Sequence, residues 1–362
     1  MLLELSADQA FFRETTARFL AELAPVDELR RRRDDPVGFD RDYWKRGAEL
    51  GWTSLLVSEE NGGGSISGAG LVDLTLIAHE FGHAAAPGPL VTTNVVASAL
   101  NDCEVDDGRD VLAGLLAGTS IASWADGDAA LQIDIDGNDA LLRGVVRPVE
   151  AGSEAEHFLV TDGATQLLVP ASAAGVTVTP MKTVDLTRRF SAVRFDDVRV
   201  PLVLVGDAAH VERQRQLALV MVNAESVGAM QRAFDMTVEW AFDRYTFGRP
   251  LASYQELKHR FADMKSWLEA AHAVSDAAAA AVQVRSSDAR ELVSVAKAFV
   301  GQYGSELLHD CIQIHGGIGL TFEHDLHLFL RRATVDRALF GTPAHHRQLI
   351  ADLVEQRGDG GE

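Results

Sequence analysis

With 362 residues, 47% hydrophobic and 24% charged, the chain has the make-up of an ordinary globular protein and length enough for two or three full-sized cores. A formal charge of -20 argues against nucleic-acid binding, which needs a basic footprint to neutralise phosphates. Cys103 and Cys311 are too few for a disulfide framework or a cysteine metal site.

Met1-Leu2-Leu3 runs straight into Glu4 without a basic start, and no apolar run reaches bilayer-spanning length. No export signal or membrane span is expected, and a reducing cytoplasm fits. Ser6-Ala7-Asp8-Gln9 has capping-box spacing ahead of Phe11, Phe12, Phe19 and Leu20, which recur at helical intervals and predict a first helix. Arg30 to Arg33, followed by Asp34-Asp35-Pro36, reads as a solvated helix face or turn. The glycines of Ser58 to Gly64 make a loop; no Lys-Ser or Lys-Thr follows to open a phosphate-binding helix, so a flexible connection is expected. Leu71 to Phe81 and Leu90 to Leu100 supply two more apolar helices, making residues 1–118 a helical domain.

From Thr119 to Leu204 the period changes to alternation, as in Leu131 to Ile135, Phe158 to Val160, Gln166 to Val169 and Val176 to Val178. Such runs, separated by turn-forming pairs, predict antiparallel strands and hairpins, hence a small β-domain over 119–204. Long helical stripes return in 205–362: Leu217 to Gly228 continued by Phe234 and Val238, then Tyr254 to Leu268, then Leu292 to Leu307. Asp288 with Glu291 has the spacing of a cap for the third of these, and Thr342-Pro343 reads as an N-cap with proline at the first helical position. A four- or five-helix bundle follows.

Two stretches in this bundle carry chemistry. Arg244-Tyr245-Thr246-Phe247-Gly248-Arg249-Pro250 and Gln313-Ile314-His315-Gly316-Gly317-Ile318-Gly319 each place a polar head beside glycines at a break between helices. Breaks of this kind suit anions, because glycine admits a ligand close to the backbone and free N–H groups point outward. A salt-bridged arginine and helix-ending glycines would explain the same residues more blandly. The run Arg-x-x-Phe-Gly-x-Pro-Leu-x-x-x-Gln (Arg244 to Gln255), then Lys258-His259 with Ala262-Asp263-Met264, then Gln313 to Gly319, resembles the C-terminal domain of the acyl-CoA dehydrogenases, and in layout the likeness covers nearly the whole chain.

The resemblance implies an α+β multidomain fold: an N-terminal helical domain, a middle antiparallel β-domain and a C-terminal helical bundle. It implies FAD at a subunit interface, the isoalloxazine against the β-domain of one protomer and the ADP end held by the bundle of its neighbour. Matched residue by residue, the cofactor-binding positions are Arg244, Thr246, Phe247, Gln255, Gln313, Gly316 and Gly317, with Arg244 a charge-assisted donor to the pyrophosphate. The family's flavin-ring segments correspond here to Ser123-Trp124-Ala125-Asp126-Gly127-Asp128-Ala129 and Arg147-Pro148-Val149-Glu150-Ala151, which depart from its hydroxyl-bearing pattern.

Family chemistry needs a glutamate in a dry pocket to take the α-proton. At its two known places this chain has Phe340, ahead of Gly341-Thr342, and Ala218, with Gln216 and Leu219 replacing charged cleft residues. Neither accepts a proton, so no catalytic residue is expected, unless Glu225 acts as a displaced base; a salt bridge is its commoner role. His315, part of the glycine motif, is expected to pack or bond at the interface, and the adjacent His345-His346 pair lacks metal-ligand spacing.

Three functions remain open. The first is a subunit of a hetero-oligomeric FAD-dependent acyl-CoA dehydrogenase, of the kind the family has among actinobacterial enzymes for steroid side chains. A sister subunit would supply the glutamate and ring pocket, and an electron-transfer flavoprotein is the implied acceptor. The second is a self-sufficient homo-oligomeric dehydrogenase or oxidase with a relocated base. The third is a flavin-free scaffold.

Overall fold

A computed structural model of the chain describes residues 5–101, 106–127 and 130–359. Met1 to Glu4, Cys103, Asp128 and Ala129, on which some of the expectations above fall, lie outside those residues.

The N-terminal part is helical, as expected: α1 (Ala7–Leu23), α2 (Val26–Arg31), α3 (Arg41–Glu49), α4 (Gly70–His83), α5 (Leu90–Asn101) and α6 (Asp106–Leu116). The Ser6 capping box forms in full: Gln9 N–H donates to Ser6 Oγ at 3.2 Å, and Ser6 N–H to Gln9 Oε1 at 3.1 Å. Two orphan donors of the first turn are thereby satisfied. Arg30 does more than face solvent, donating to the backbone of Glu323 at 2.9 Å and pairing with Asp325 near the far end of the chain.

Two four-stranded sheets follow. One is ordered β1 (Ala122–Asp126), β4 (His157–Thr161), β5 (Thr165–Pro170), β8 (Leu204–Asp207); the other β2 (Leu131–Asp136), β3 (Asp139–Glu150), β7 (Phe190–Pro201), β6 (Val176–Met181). Their apolar faces meet around Phe158 and Phe195. Every pair in these two sheets is antiparallel except β1 with β4, which run parallel. The hairpin expectation misses this pair because the chain leaves for the second sheet between them and returns in its original direction.

Five helices complete the chain: α7 (Ala208–Asp243), α8 (Gln255–Gln283), α9 (Ala289–His315), α10 (Leu326–Ala338) and α11 (Pro343–Asp359). Between α7 and α8 lies a two-strand hairpin, β9 (Tyr245–Thr246) and β10 (Arg249–Pro250). Thr342 caps α11 through its hydroxyl, which accepts from His345 N–H at 3.3 Å. Asp288 precedes α9 but does not cap it; its carboxylate is taken by the Ser286 hydroxyl two residues back.

One apolar core joins Trp44, Trp52 and Phe81 of the N-terminal helices to Leu217 and Met221 of α7, Val282 of α8 and Ala296 of α9. At its centre α4 and α7 cross backbone to backbone. A Cβ on Gly82 would lie 1.8 Å from the Glu225 carbonyl oxygen, and one on Gly228 would lie 1.9 Å from that of His79. Glycine is required at both by close approach. No helix among the described residues is long and apolar enough to cross a membrane.

Candidate functional site

Where the β-domain, α5, α7 and α10 meet, the chain leaves a cleft of about 540 Å³. Thr92 of α5, Trp124 of β1, Glu150 of β3, Val222 of α7 and Phe340 after α10 contribute to its wall. Glu150 reaches it because β3 changes register against β7 between Val146 and Val149, and such an irregularity re-aims the residues beyond it.

Behind the cleft lies a buried ionic network centred on Arg188, which also touches the cleft wall. Its guanidinium donates to Asp185 at 2.8 Å, Glu225 at 3.0 Å and Asp336 at 2.5 Å. Arg332 joins from α10, donating to Thr187 Oγ1 and to the Phe81 and Ala86 carbonyls. Lys297 of α9 donates to the Asp336 carbonyl. Burial works against the Arg188 charge, yet Asp336, Asp185 and Glu225 lift its pKa well above the usual value. Burial likewise pushes Asp185 up, but Arg188 and Arg332 hold it down at about 2.

The other two carboxyls move the opposite way: burial pushes Glu225 up to about 8 and Glu150 up to about 7, against the pull of both arginines. A count of charges explains how Glu225 can sit against a guanidinium and still be raised. Among the described residues of the network, three cations (Arg188, Arg332, Lys297) face four carboxyls (Asp185, Asp336, Glu225, Glu150). In a buried site the unmatched carboxyl keeps its proton. Glu225, 2% exposed and bound by Arg188, is a member of this network and does not line the cleft.

Phe340 forms the partition between the cleft and a second cavity of about 370 Å³, which Gln216 and Leu219 also line. Its ring packs on Trp124 at 5.4 Å between centroids, and its backbone adopts φ +56°, a left-handed conformation that a phenylalanine holds only when its surroundings impose it. The imposing group is His346, whose Nε2 lies 3.0 Å from the Phe340 carbonyl while Nδ1 faces Ser294 Oγ at 3.2 Å. Burial lowers the His346 pKa to about 4, so the ring is neutral: Nε2–H donates to the carbonyl and Nδ1 accepts from the serine. The other position of interest, Ala218, is fully buried in the core and presents nothing to the cleft.

The expected cofactor-binding residues lie elsewhere, at the outer end of the bundle. Arg244 ends α7, Thr246 to Arg249 form the hairpin, Gln255 opens α8, Gln313 sits in the last turn of α9, and Gly316-Gly317 start the turn beyond it. The two runs converge through Trp240, which stacks on His315 at 5.2 Å and 16° while carrying the Arg244 guanidinium 6.0 Å over its ring. Arg244 is exposed and makes no ion pair among the described residues. A Cβ on Gly248, Gly316 or Gly317 would meet nothing within 4 Å, so their backbone lies open. An unpaired guanidinium beside open backbone fits a diphosphate, which takes charge-assisted hydrogen bonds from both. Tyr254 steadies the hairpin by donating to the Thr246 carbonyl at 2.7 Å. At its tip Phe247, with φ +51°, is 94% exposed. Phe242, Tyr245, Leu320 and Phe322 are exposed too, a set of apolar side chains of the sort that marks an interaction surface.

His345 shares its neighbourhood with His346, but no group of three or more metal-ligating side chains with the geometry to hold an ion occurs among the described residues. Sequence reasoning did not single out Glu150, Arg188, Lys297 or the role of His346. Only Glu150 left a trace, as an acidic residue ending a strand beside Pro148.

Comparison with known proteins adds three kinds of finding. The profile described as "Acyl-CoA dehydrogenase, C-terminal domain" matches residues 215–354, and that described as "Acyl-CoA dehydrogenase, N-terminal domain" matches residues 6–105. A relative, "Acyl-CoA dehydrogenase IpdE2" of Mycobacterium tuberculosis, is 30% identical over 344 residues, covering 93% of this chain and 94% of its own. Among solved structures, the ChsE4-ChsE5 complex from Mycobacterium tuberculosis superposes with a TM-score of 0.90 at 23% identity, over 98% of this chain and 99% of that one. A Tcur3481-Tcur3483 steroid ACAD variant gives 0.89 at 23%, over 97% and 98%. At such identities the structural likeness speaks for the fold.

Proposed function

Because the chain belongs to the acyl-CoA dehydrogenase family, FAD-dependent oxidoreductases of acyl-CoA substrates, we propose that it is one subunit of a hetero-oligomeric member, holding the ADP end of an FAD whose ring and catalytic glutamate belong to a sister chain. The observation that carries this is Phe340. The loop that ought to carry a proton acceptor is instead held by His346 around an aromatic ring packed on Trp124, and a phenylalanine accepts no proton.

When bound, FAD supplies the hydride acceptor. This chain's residues bind and orient: Arg244 meets the diphosphate charge, the Gly316-Gly317 and Gly248 backbone admits it closely, and Gln255 and Gln313 offer their side-chain amides. Phe247 and its apolar neighbours lie against the sister chain, which shields the site from water. ChsE4-ChsE5 is a pair of unlike chains, and a steroid ACAD has the same fold; both support a hetero-oligomer acting on a bulky CoA thioester. An electron-transfer flavoprotein is the acceptor that membership of the family implies.

The test is co-expression with the sister chain and a flavin count per complex. Arg244→Ala should strip flavin by at least about tenfold while leaving this chain folded, one charge-assisted contact being worth about 1.5–3 kcal/mol. Unaltered flavin content would refute the assignment. One observation favours a self-sufficient enzyme instead: Glu150 is a carboxyl of this chain at the cleft. That reading requires a homomeric preparation to be yellow and to oxidise an acyl-CoA.

A further inference from the structure

We propose that Trp240 and His315 are positioning residues for Arg244: their stacked rings hold its guanidinium toward the FAD diphosphate, and do so while His315 is uncharged. This rests on the reading of Arg244 as the diphosphate's partner.

Arg244 follows the last turn of α7, is exposed, and has no ion pair among the described residues to fix its long side chain. Ordering a free arginine at the moment of binding costs side-chain entropy, so a guanidinium already in place holds its ligand more tightly. Trp240, one turn earlier on the same helix, puts it in place. Its carbonyl accepts from Arg244 N–H at 2.9 Å, and its ring carries the guanidinium 6.0 Å from the centroid.

The indole is fixed in turn from α9. His315, 5% exposed, stacks on it at 5.2 Å and 16°. Nδ1 of His315 lies 2.8 Å from the Cys311 carbonyl, which only accepts, so Nδ1 carries the hydrogen and the rotation of the ring is set. His324, in the turn before α10, meets His315 at 4.6 Å and 61°, and its own Nδ1 accepts from Leu326 N–H at 3.2 Å. Arg244, Trp240, His315 and His324 thereby form one column from the end of α7, past the end of α9, to the turn before α10. A Cβ on Gly316 or Gly317 would meet nothing, so those glycines bring no packing of their own to hold the two cofactor runs together.

The column has room for one cation. Burial lowers the His315 pKa from its ordinary 6.5, His324 lowers it further, and the Cys311 carbonyl opposes both, so the ring is neutral at neutral pH. The titratable and charged groups around it are His324, itself flanked by Asp325 and Arg30, and Arg244 on the shared indole. A proton on His315 would add a second positive charge to the indole that carries Arg244, and the two would repel.

The test has two arms. The first measures FAD affinity of the complex with the sister chain, from the fluorescence of free FAD. Near pH 8, Trp240→Leu should weaken it about two- to fivefold, the worth of one exposed cation–π contact, and Trp240→Phe should recover most of that loss. Placed on Arg244→Ala, Trp240→Leu should change nothing further, because its effect runs through the missing guanidinium. The second arm uses the full-length chain without flavin. The emission of Trp240, taken as the difference from Trp240→Phe, should drop as pH falls below 6.5, since a protonated imidazole in contact quenches an indole, and the same difference taken in His315→Phe should show no drop. FAD affinity indifferent to Trp240→Leu, a loss that persists undiminished in Arg244→Ala, or an emission profile unmoved by His315→Phe would overturn the proposal. Unaltered flavin in the Arg244→Ala complex would remove the diphosphate reading and this one with it; flavin lost there yet indifferent to Trp240→Leu would remove this one alone.

Discussion

Replacing Arg188 with methionine keeps most of the side-chain volume and removes the cation on which three carboxylates converge. The network then has two cations against four carboxyls, and Asp185, held at about 2 by its arginines, loses the nearer of them. Breaking a buried ion pair from one side costs about 3–5 kcal/mol, because the partner is left charged without compensation. With about 2.1 cal/mol/K of unfolding entropy per residue, 362 residues convert that loss into a fall in Tm of about 4–7 °C. The deficit should be largest near pH 8 and shrink near pH 4, where protonation relieves the stranded carboxylates, and adding Glu225→Gln should recover part of it. Differential scanning calorimetry of the two variants at both pH values is the measurement. A fall of less than a degree, or one that grows toward acid, would refute the view of Arg188 as the counter-ion of this network.

Three further outcomes are expected. Phe247→Asp, at an exposed hairpin tip, should change the stability of the isolated chain by no more than about 0.5 kcal/mol while abolishing co-assembly with the sister chain, as seen by light scattering behind size exclusion. His346→Ala removes the donor to the Phe340 carbonyl and should cost about 1–3 kcal/mol, with a red shift of Trp124 emission as the stacked ring loosens. For Glu150 the folded pKa of about 7 lies above the ordinary 4.5, so as pH rises the unfolded chain gives up its proton first. Folding stability should therefore fall between about pH 4.5 and pH 7 and level off above, and in Glu150→Gln that part of the slope, followed as Tm against pH, should disappear.

What could be read in advance was local in sequence. Ser6 and Gln9 are three residues apart and cap a helix wherever they occur together; the alternation of Phe158 to Val160 marks a strand for the same kind of reason. The glycines after Arg244 and Gln313 announced helix breaks, and breaks are where the structure puts them. What could not be read depends on distance. Arg188 meets Glu225 across 37 residues and Asp336 across 148, and no spacing rule links them. Glu150 was hidden by the register change after Val146, which spoils the alternation that would have assigned it a face. Asp288 misled because Ser286, just outside the motif, competes for its carboxylate.

The core that α7 shares with the N-terminal helices has a consequence for biosynthesis. Trp44, Trp52 and Phe81 are emitted early, yet the residues that cover them extend to Ala296. At about 5–20 residues per second, some 10–40 seconds pass on the ribosome before the first hundred residues can close over their apolar faces. For that interval the nascent chain is a client for holding chaperones, and a premature stop before α9 should yield an insoluble fragment rather than a smaller folded protein.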